Sequence, residues 1–196
     1  MNFSERSKYI LVESVKELMN TIPLDKITVS QIVENCGTTR QTFYRYFKDK
    51  YDLILWYFDV NVQSVIEQMW DKADFKAILT KKLTLMKEEQ SFYASAFSSR
   101  DSQSIFEYNY RYSLKFYTEK ISKKIGGELP EEVQFMIELY CYGFMVKMAD
   151  WAQRGMPVPP KQFASMLIDS IPGKLVKYLG GEMEPPEEKD EKVTLY

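Results

Sequence analysis

The sequence predicts an all-α protein: an N-terminal three-helix unit built around a helix-turn-helix, then a longer C-terminal helical domain. Three observations predict it. Apolar residues recur at three- and four-residue spacing along most of the 196 residues, and strand-like alternation is absent. Breakers fall mainly between those runs, at Pro23, Gly37, Gly126-Gly127, Pro130, Gly155 and Pro157. Thr28, Thr39 and Asp74 stand where helices should begin, with side-chain oxygens able to accept from free N–H groups.

The elements follow in order. A first helix over about 4–20 carries Ile10, Leu11, Val12, Val15, Leu18 and Met19 at helical spacing, and Pro23 separates it from the next. Thr28 precedes Val29, Ile32 and Val33, and Gln31 lies three residues on, the pattern of a capping box. That helix must stop near Cys36-Gly37, because glycine accepts the left-handed backbone of a tight turn. Thr39 then caps a second helix, Arg40 to about Phe47. A long helix is predicted from about Lys50 to Lys72, with Leu53, Trp56, Tyr57, Val60, Val65 and Met69 along its apolar side. Asp74 opens a helix to about Lys87, and a short one lies near Phe92–Phe97. Residues 98–104 read as a polar loop, and a helix follows from about Ser104 to Ile125. Pro130 opens a helix to about Arg154, and Pro160 opens the last, interrupted at Pro172-Gly173. The expected division is a helix-turn-helix domain over 1–50, a helical domain over 51–181 and a flexible acidic tail over 182–196.

The helix at Arg40 carries the most chemistry. Phe43 and Phe47 are four apart and share one face, which is assigned to the core. Arg40, Gln41, Thr42, Tyr44 and Arg45 then fall on the opposite and flanking faces. Arg pairs with guanine through two hydrogen bonds, Gln does so with adenine, and a Thr methyl can meet a thymine methyl. Arg40, Gln41, Thr42 and Arg45 are therefore expected to reach base edges in the major groove of a double-stranded operator. Thr28, Tyr44, Tyr46 and Lys50 are expected to touch phosphates, helped by the helix N-terminus that begins at Lys50.

These residues resemble the TetR family of bacterial transcription factors. The resemblance rests on Gly37, Thr42-Phe43-Tyr44, Phe47, Lys48-Asp49-Lys50 and Asp52-Leu53, with the segment from Ile27 to Gly37 and the first helix also fitting. Cys36 stands where that family often has alanine and Gln41 where a small residue is frequent, which leaves the operator sequence open. The resemblance implies a homodimer held by the last two long helices, an effector pocket in the helical domain, and a signal carried to the DNA-reading helices through the long helix after Lys50. It implies repression as the commoner outcome. Residues 143–157 and the Arg40–Phe47 helix are also similar to a branch that includes activators of dihydroxyacetone kinase operons. In that branch the signal would arrive through a protein co-activator.

Two sets of residues in the helical domain are candidates for those roles. Phe92, Tyr93, Phe97, Phe106, Tyr110 and Tyr117 supply aromatic walls with hydroxyls, as a small-molecule pocket needs. Tyr140, Phe144, Met148, Trp151, Phe163 and Leu167 form stripes on the last two long helices and are the expected dimer interface. Gly143 interrupts the first of these helices, where a close approach of a second helix would account for it.

Composition sets the bounds. Apolar residues make up 45% of the chain, enough for a sizeable core. The net charge of −2 divides unevenly: residues 1–50 hold eight basic and six acidic side chains, and 182–196 hold two and six. The weakly basic head predicts modest non-specific DNA affinity and reliance on base contacts and dimerisation. With no histidine, no P-loop, no GxGxxG and only Cys36 and Cys141 as thiols, no enzyme, cofactor or metal site is expected. No signal sequence or membrane span is read, so a cytoplasmic, nucleoid-associated protein is expected.

Overall fold

The computed structural model of the protein describes residues 3–70 and 72–179, with the backbone alone over 102–104. The acidic tail read over 182–196 lies outside the described residues. Among the described residues there is no strand. The helices are α1 (Phe3–Met19), α2 (Val29–Asn35), α3 (Arg40–Tyr46), α4 (Lys50–Phe58), α5 (Ser64–Met69), α6 (Phe75–Glu88), α7 (Gln90–Phe97), α8 (Ser102–Ile125), α9 (Glu131–Gln153), α10 (Pro160–Asp169) and α11 (Gly173–Val176). A 3-10 turn, Leu24–Lys26, links α1 to α2.

The sequence cues act as the physics requires. The Thr28 hydroxyl accepts from Gln31 N at 3.2 Å, and Gln31 Oε1 accepts from Thr28 N at 2.8 Å, which completes the capping box. Gly37, at φ +66°, turns the chain out of α2, and Thr38 N donates to Val33 O at 2.8 Å. Asp74 caps α6 through Ala77 N. Residues 50–69 form one helical run, as expected, but its middle is wound differently: Asp59–Gln63 is a π-helical turn between α4 and α5. Composition gives no warning of it, because an i→i+5 turn needs no special residue.

α1, α2 and α4 enclose the first core, and α1 also lies against α7. Leu11, Val12, Val15, Ile32, Phe43 and Leu53 are essentially sealed from solvent there. Ser14 donates to Ile32 O at 2.7 Å, and Asn35 bridges Ser14 and Glu17, so α1 and α2 are also joined by polar contacts. In the second core α10 packs on α6, and α7 and α8 pack on α9. The chain from 97 to the start of α8 is shorter than the loop expected over 98–104, because the helix begins at Ser102.

Lys16 joins the two parts. Its ammonium donates to Glu89 and Glu13, and pairs with Tyr57 Oη at 3.4 Å. Burial alone would lower its pKa, but the hydrogen bonds to Glu89 and Glu13 outweigh that and raise it. Burial and the Glu89 charge push the Tyr57 phenol up to about 12. Truncating the sealed Phe43 to alanine should cost about 3–5 kcal/mol, seen as a lower urea midpoint with an unchanged slope.

Candidate nucleic-acid interface

The short helices α2 and α3, with the turn at Gly37 between them, present one exposed ridge. Phe43 is 0% exposed and Phe47 3%, so both bury their rings and fix the rotation of α3. The opposite face follows from the helical period. Arg40, Gln41, Tyr44 and Arg45 are exposed and Thr42 is half-buried. Thr39 caps the helix through Thr42 N at 3.1 Å, and the two hydroxyls lie 3.0 Å apart. The Thr42 hydroxyl is thus engaged locally, while the methyl group completes the rim.

The Arg40 guanidinium leans back onto α2, where Nε donates to Ser30 Oγ at 2.9 Å and the terminal NH2 donates to the same oxygen. That uses one edge of the fork and leaves further N–H donors outward. Ser30 is a functional neighbour that the sequence reading missed, since nothing in the linear pattern ties residues ten apart across a turn. Gln41 and Arg45 are exposed on the ridge. Tyr44 is 58% exposed and meets Phe43 edge-on at 5.5 Å between ring centroids.

The expected phosphate contacts divide on inspection of their partners. Tyr44 has its hydroxyl at the surface. Tyr46 reaches back to α1: a hydrogen bond with Ser7 lowers its phenol pKa, burial opposes that, and weaker contributions from Ser4 and from Arg45 lower it further. The Thr28 hydroxyl donates to Gln31 Oε1 at 2.9 Å, so a phosphate contact from it would have to open the capping box.

Lys50 corrects the sequence expectation most clearly. Its ammonium points inward and donates to three carbonyls, Leu24 O at 2.7 Å, Ile27 O at 2.8 Å and Asp25 O at 3.0 Å. An ammonium has three N–H donors, and all three are committed. Burial lowers its pKa, opposed by the charges of Asp25 and Asp49. The α4 N-terminus is also filled, because Asp49 accepts from Tyr51 N and Asp52 N, both at 2.9 Å. The neighbouring Lys48 has an exposed side chain.

The helical domain redistributes the other candidates. Phe92, Tyr93 and Phe97 are buried around Phe58, with ring centroids 4.9 to 5.7 Å from it. Phe106 and Tyr110 pair instead with Tyr142, and Tyr117 packs on Trp70, Phe75 and Phe116. The six therefore sit in three separate clusters. A larger opening, a polar cleft of about 710 Å3, lies between α1 and the α6–α7 joint, and of the six only Phe92 lines it.

The expected dimer residues also turn inward. Phe144, Met148, Trp151, Phe163 and Leu167 are buried within the single chain, and half-buried Tyr140 donates to Leu167 O at 3.0 Å. Trp151 stacks on Phe163 at 4.8 Å. Their stripe faces the core because α9 must cover both α8 and α7. A second stripe, Phe135, Leu139, Tyr142 and Val146, remains 42–64% exposed on α9.

Residues 11–56 match the family described as bacterial regulatory proteins, tetR family, and residues 73–173 match a transcriptional regulator C-terminal region. The chain belongs to the TetR family. A relative from Lactococcus lactis subsp. lactis (strain IL1403), the HTH-type dhaKLM operon transcriptional activator DhaS, is 31% identical over 88 residues. That match covers 45% of this chain and 47% of the relative, so it spans about half the length of the curated protein. The solved structure of a dihydroxyacetone kinase operon activator DhaS shares the fold, with a TM-score of 0.63 over 88% of this chain and 97% of that one, at 19% identity. This TetR-family chain has no described helix long and apolar enough to cross a membrane.

Lys50→Met keeps the buried stem and strands three carbonyls. It should lower stability by about 1–3 kcal/mol. The slope of duplex-DNA affinity against salt should stay at the wild-type value. A slope smaller by about one would instead place the ammonium on a phosphate.

Proposed function

We propose that this TetR-family regulator binds a two-fold symmetric operator as a homodimer, with α3 in the major groove and its activity set by an effector in the helical domain. The α3 ridge carries the reading: exposed Arg40, Gln41, Tyr44 and Arg45 stand on a helix whose rotation is fixed by two buried phenylalanines. Arg40, Gln41, Thr42 and Arg45 are assigned to base edges, with Arg40 held in position by Ser30. Tyr44, Tyr46 and Lys48 are assigned to phosphates, and Thr28 only where the capping box yields.

The dimer surface is assigned to the exposed stripe of α9. Phe135, Leu139, Tyr142 and Val146 follow the helical period along one face, and Met166 on α10 is 52% exposed. Gly143 is also exposed, and a Cβ added there would meet nothing within 4 Å. Nothing in the chain itself requires that glycine, which costs about 1 kcal/mol against alanine in a helix. A second copy approaching the stripe supplies the requirement.

The sign of regulation has a second reading. The relatives named above are activators of dihydroxyacetone kinase operons, and the aromatic positions expected to wall a pocket are dispersed. Both favour an activator switched by a protein co-activator over a repressor released by a small molecule. A reporter fused to the DNA flanking the gene decides between them: deletion of the regulator raises expression under repression and lowers it under activation.

A gel shift on that flanking DNA, with random DNA as competitor, tests operator binding, and no specific shift with or without cell extract would sink it. Arg40→Ala should cost about 1–3 kcal/mol on the operator and relax preference at one base position. An equal loss on random DNA would remove Arg40 from base reading. Leu139→Glu should give a folded monomer by light scattering and circular dichroism, with operator affinity reduced at least tenfold. A persistent dimer would move the interface elsewhere.

A further inference from the structure

Helix α7 is tied at both ends to the reading helices on one side and to α9 on the other. At its start, Lys16 of α1 donates to the carboxylate of Glu89, the residue before α7, at 2.8 Å. Past its far end, the Arg100 N–H donates to both carboxylate oxygens of Asp25, at 2.9 and 3.1 Å. Asp25 lies in the 3-10 turn after α1. On the α9 side, Lys87 donates to Gln90 Oε1 at 2.6 Å and to Met156 O at 3.0 Å, and Gln153 Nε2 donates to Phe97 O at 2.5 Å. Between these ties Phe92 meets Tyr57 of α4 edge-on at 5.1 Å. α7 is a bracket between the α1–α3 unit and α9.

The two ties to the α1–α3 unit differ in how readily they can part. Asp25 is held from several sides: Lys50 donates to its carbonyl and Tyr51 Oη to its carboxylate, at 3.0 and 3.3 Å. The Lys16–Glu89 tie joins two side chains, and each has a second partner. Lys16 also donates to Glu13 on its own helix at 3.1 Å, and Glu89 also accepts from Tyr57 Oη at 3.2 Å. Parting therefore leaves neither charge bare, which removes the main penalty for breaking a half-buried ion pair. Both residues line the cleft of about 710 Å3 between α1 and the α6–α7 joint, so the pair is reached from solvent.

We propose that the Lys16–Glu89 pair is a conformational latch: closed, it seats the α1–α3 unit on α7, and open, it lets that unit rock off α7 as one body. The unit moves together because Val12 and Val15 of α1, Ile32 of α2 and Phe43 of α3 share one sealed core. Release at the Glu89 end therefore loosens the grip at the Arg100 end. In a dimer the latch would set how firmly two α3 helices are held at one spacing, and that consequence rests on the operator-binding reading. The latch itself does not.

Solvent exchange of the Arg100 amide proton, followed by NMR in the full chain without DNA, reports the far end of α7. Lys16→Met removes the ammonium and keeps the stem, and it should speed that exchange roughly threefold or more. Glu89→Gln removes the charge and takes no side-chain cap from α7, and it should act in the same direction. The double variant should add nothing to Lys16→Met, as for two halves of one contact. Glu13→Gln removes the other partner of Lys16 and should leave Arg100 unchanged. If one latch variant folds poorly, the other decides. Unchanged exchange at Arg100, effects that multiply in the double variant, or an equal rise in Glu13→Gln overturns the latch. On DNA, one base pair inserted between the half-sites should weaken wild-type binding roughly tenfold and Lys16→Met binding by less. An equal loss in both proteins overturns the role of the latch in DNA reading. Absence of any specific wild-type shift counts against the operator reading, and the Arg100 exchange still decides the latch.

Discussion

One ammonium ion ties the turn between α1 and α2 to the start of α4. Lys50 Nζ gathers the carbonyls of Leu24, Asp25 and Ile27, which belong to the 3-10 turn and its exit, and so closes the path from α1 to α2 at the first residue of α4. Leu24 O also accepts from Ile27 N at 3.2 Å, and the ammonium adds its own bonds to this short turn. The same residue opens the long helical run, so the position of α2 and α3 is set relative to that run by covalent chain on one side and by three hydrogen bonds on the other. Lys87 repeats the device at the far end of the fold. Its ammonium donates to Met156 O at 3.0 Å and Gly155 O at 3.3 Å, where the chain leaves α9 through two left-handed residues.

The consequence is a head that moves as a unit. Phe43 and Phe47 lock α3 into the core of α1, α2 and α4, with Phe47 against Trp56 of α4 at 5.7 Å. Lys16 then ties α1 to Glu89 at the α6–α7 joint, and Asp25 accepts from Arg100 N beyond α7. A shift of α4 or α7 therefore reaches α3 through packed rings and bonded ammonium groups. It does not pass through a loose linker. The π-helical turn at Asp59–Gln63 is the irregular point of the run, with polar side chains at both of its ends.

Burial within one chain and burial between two chains draw on the same residue types. α9 shows both. One of its faces carries Phe144, Met148 and Trp151 into the intramolecular core, and another leaves Phe135, Leu139, Tyr142 and Val146 in solvent. A helix apolar on more than one side is satisfied only when more than one neighbour covers it. The second face also carries the exposed Gly143.

Much of this was legible in the sequence for local reasons. Capping at Thr28 and Thr39, the turn at Gly37 and the pairing of Phe43 with Phe47 depend on residues within a few positions of one another, and each is realised. Family membership rests on the same local pattern. Three things needed the fold. Lys50 reads as a phosphate ligand until the carbonyls 23 to 26 residues before it are brought to its ammonium. The apolar stripes of α9 cannot be divided into inner and outer faces until α7, α8 and α10 take their places. The aromatic residues of 92–117 separate into three clusters only because α7 and α8 present them to different neighbours. Helical period and caps are properties of contiguous backbone, so sequence determines them. Which carbonyls an ammonium finds, and which of two apolar faces is covered first, depend on residues far apart in the chain, and only the tertiary packing decides those.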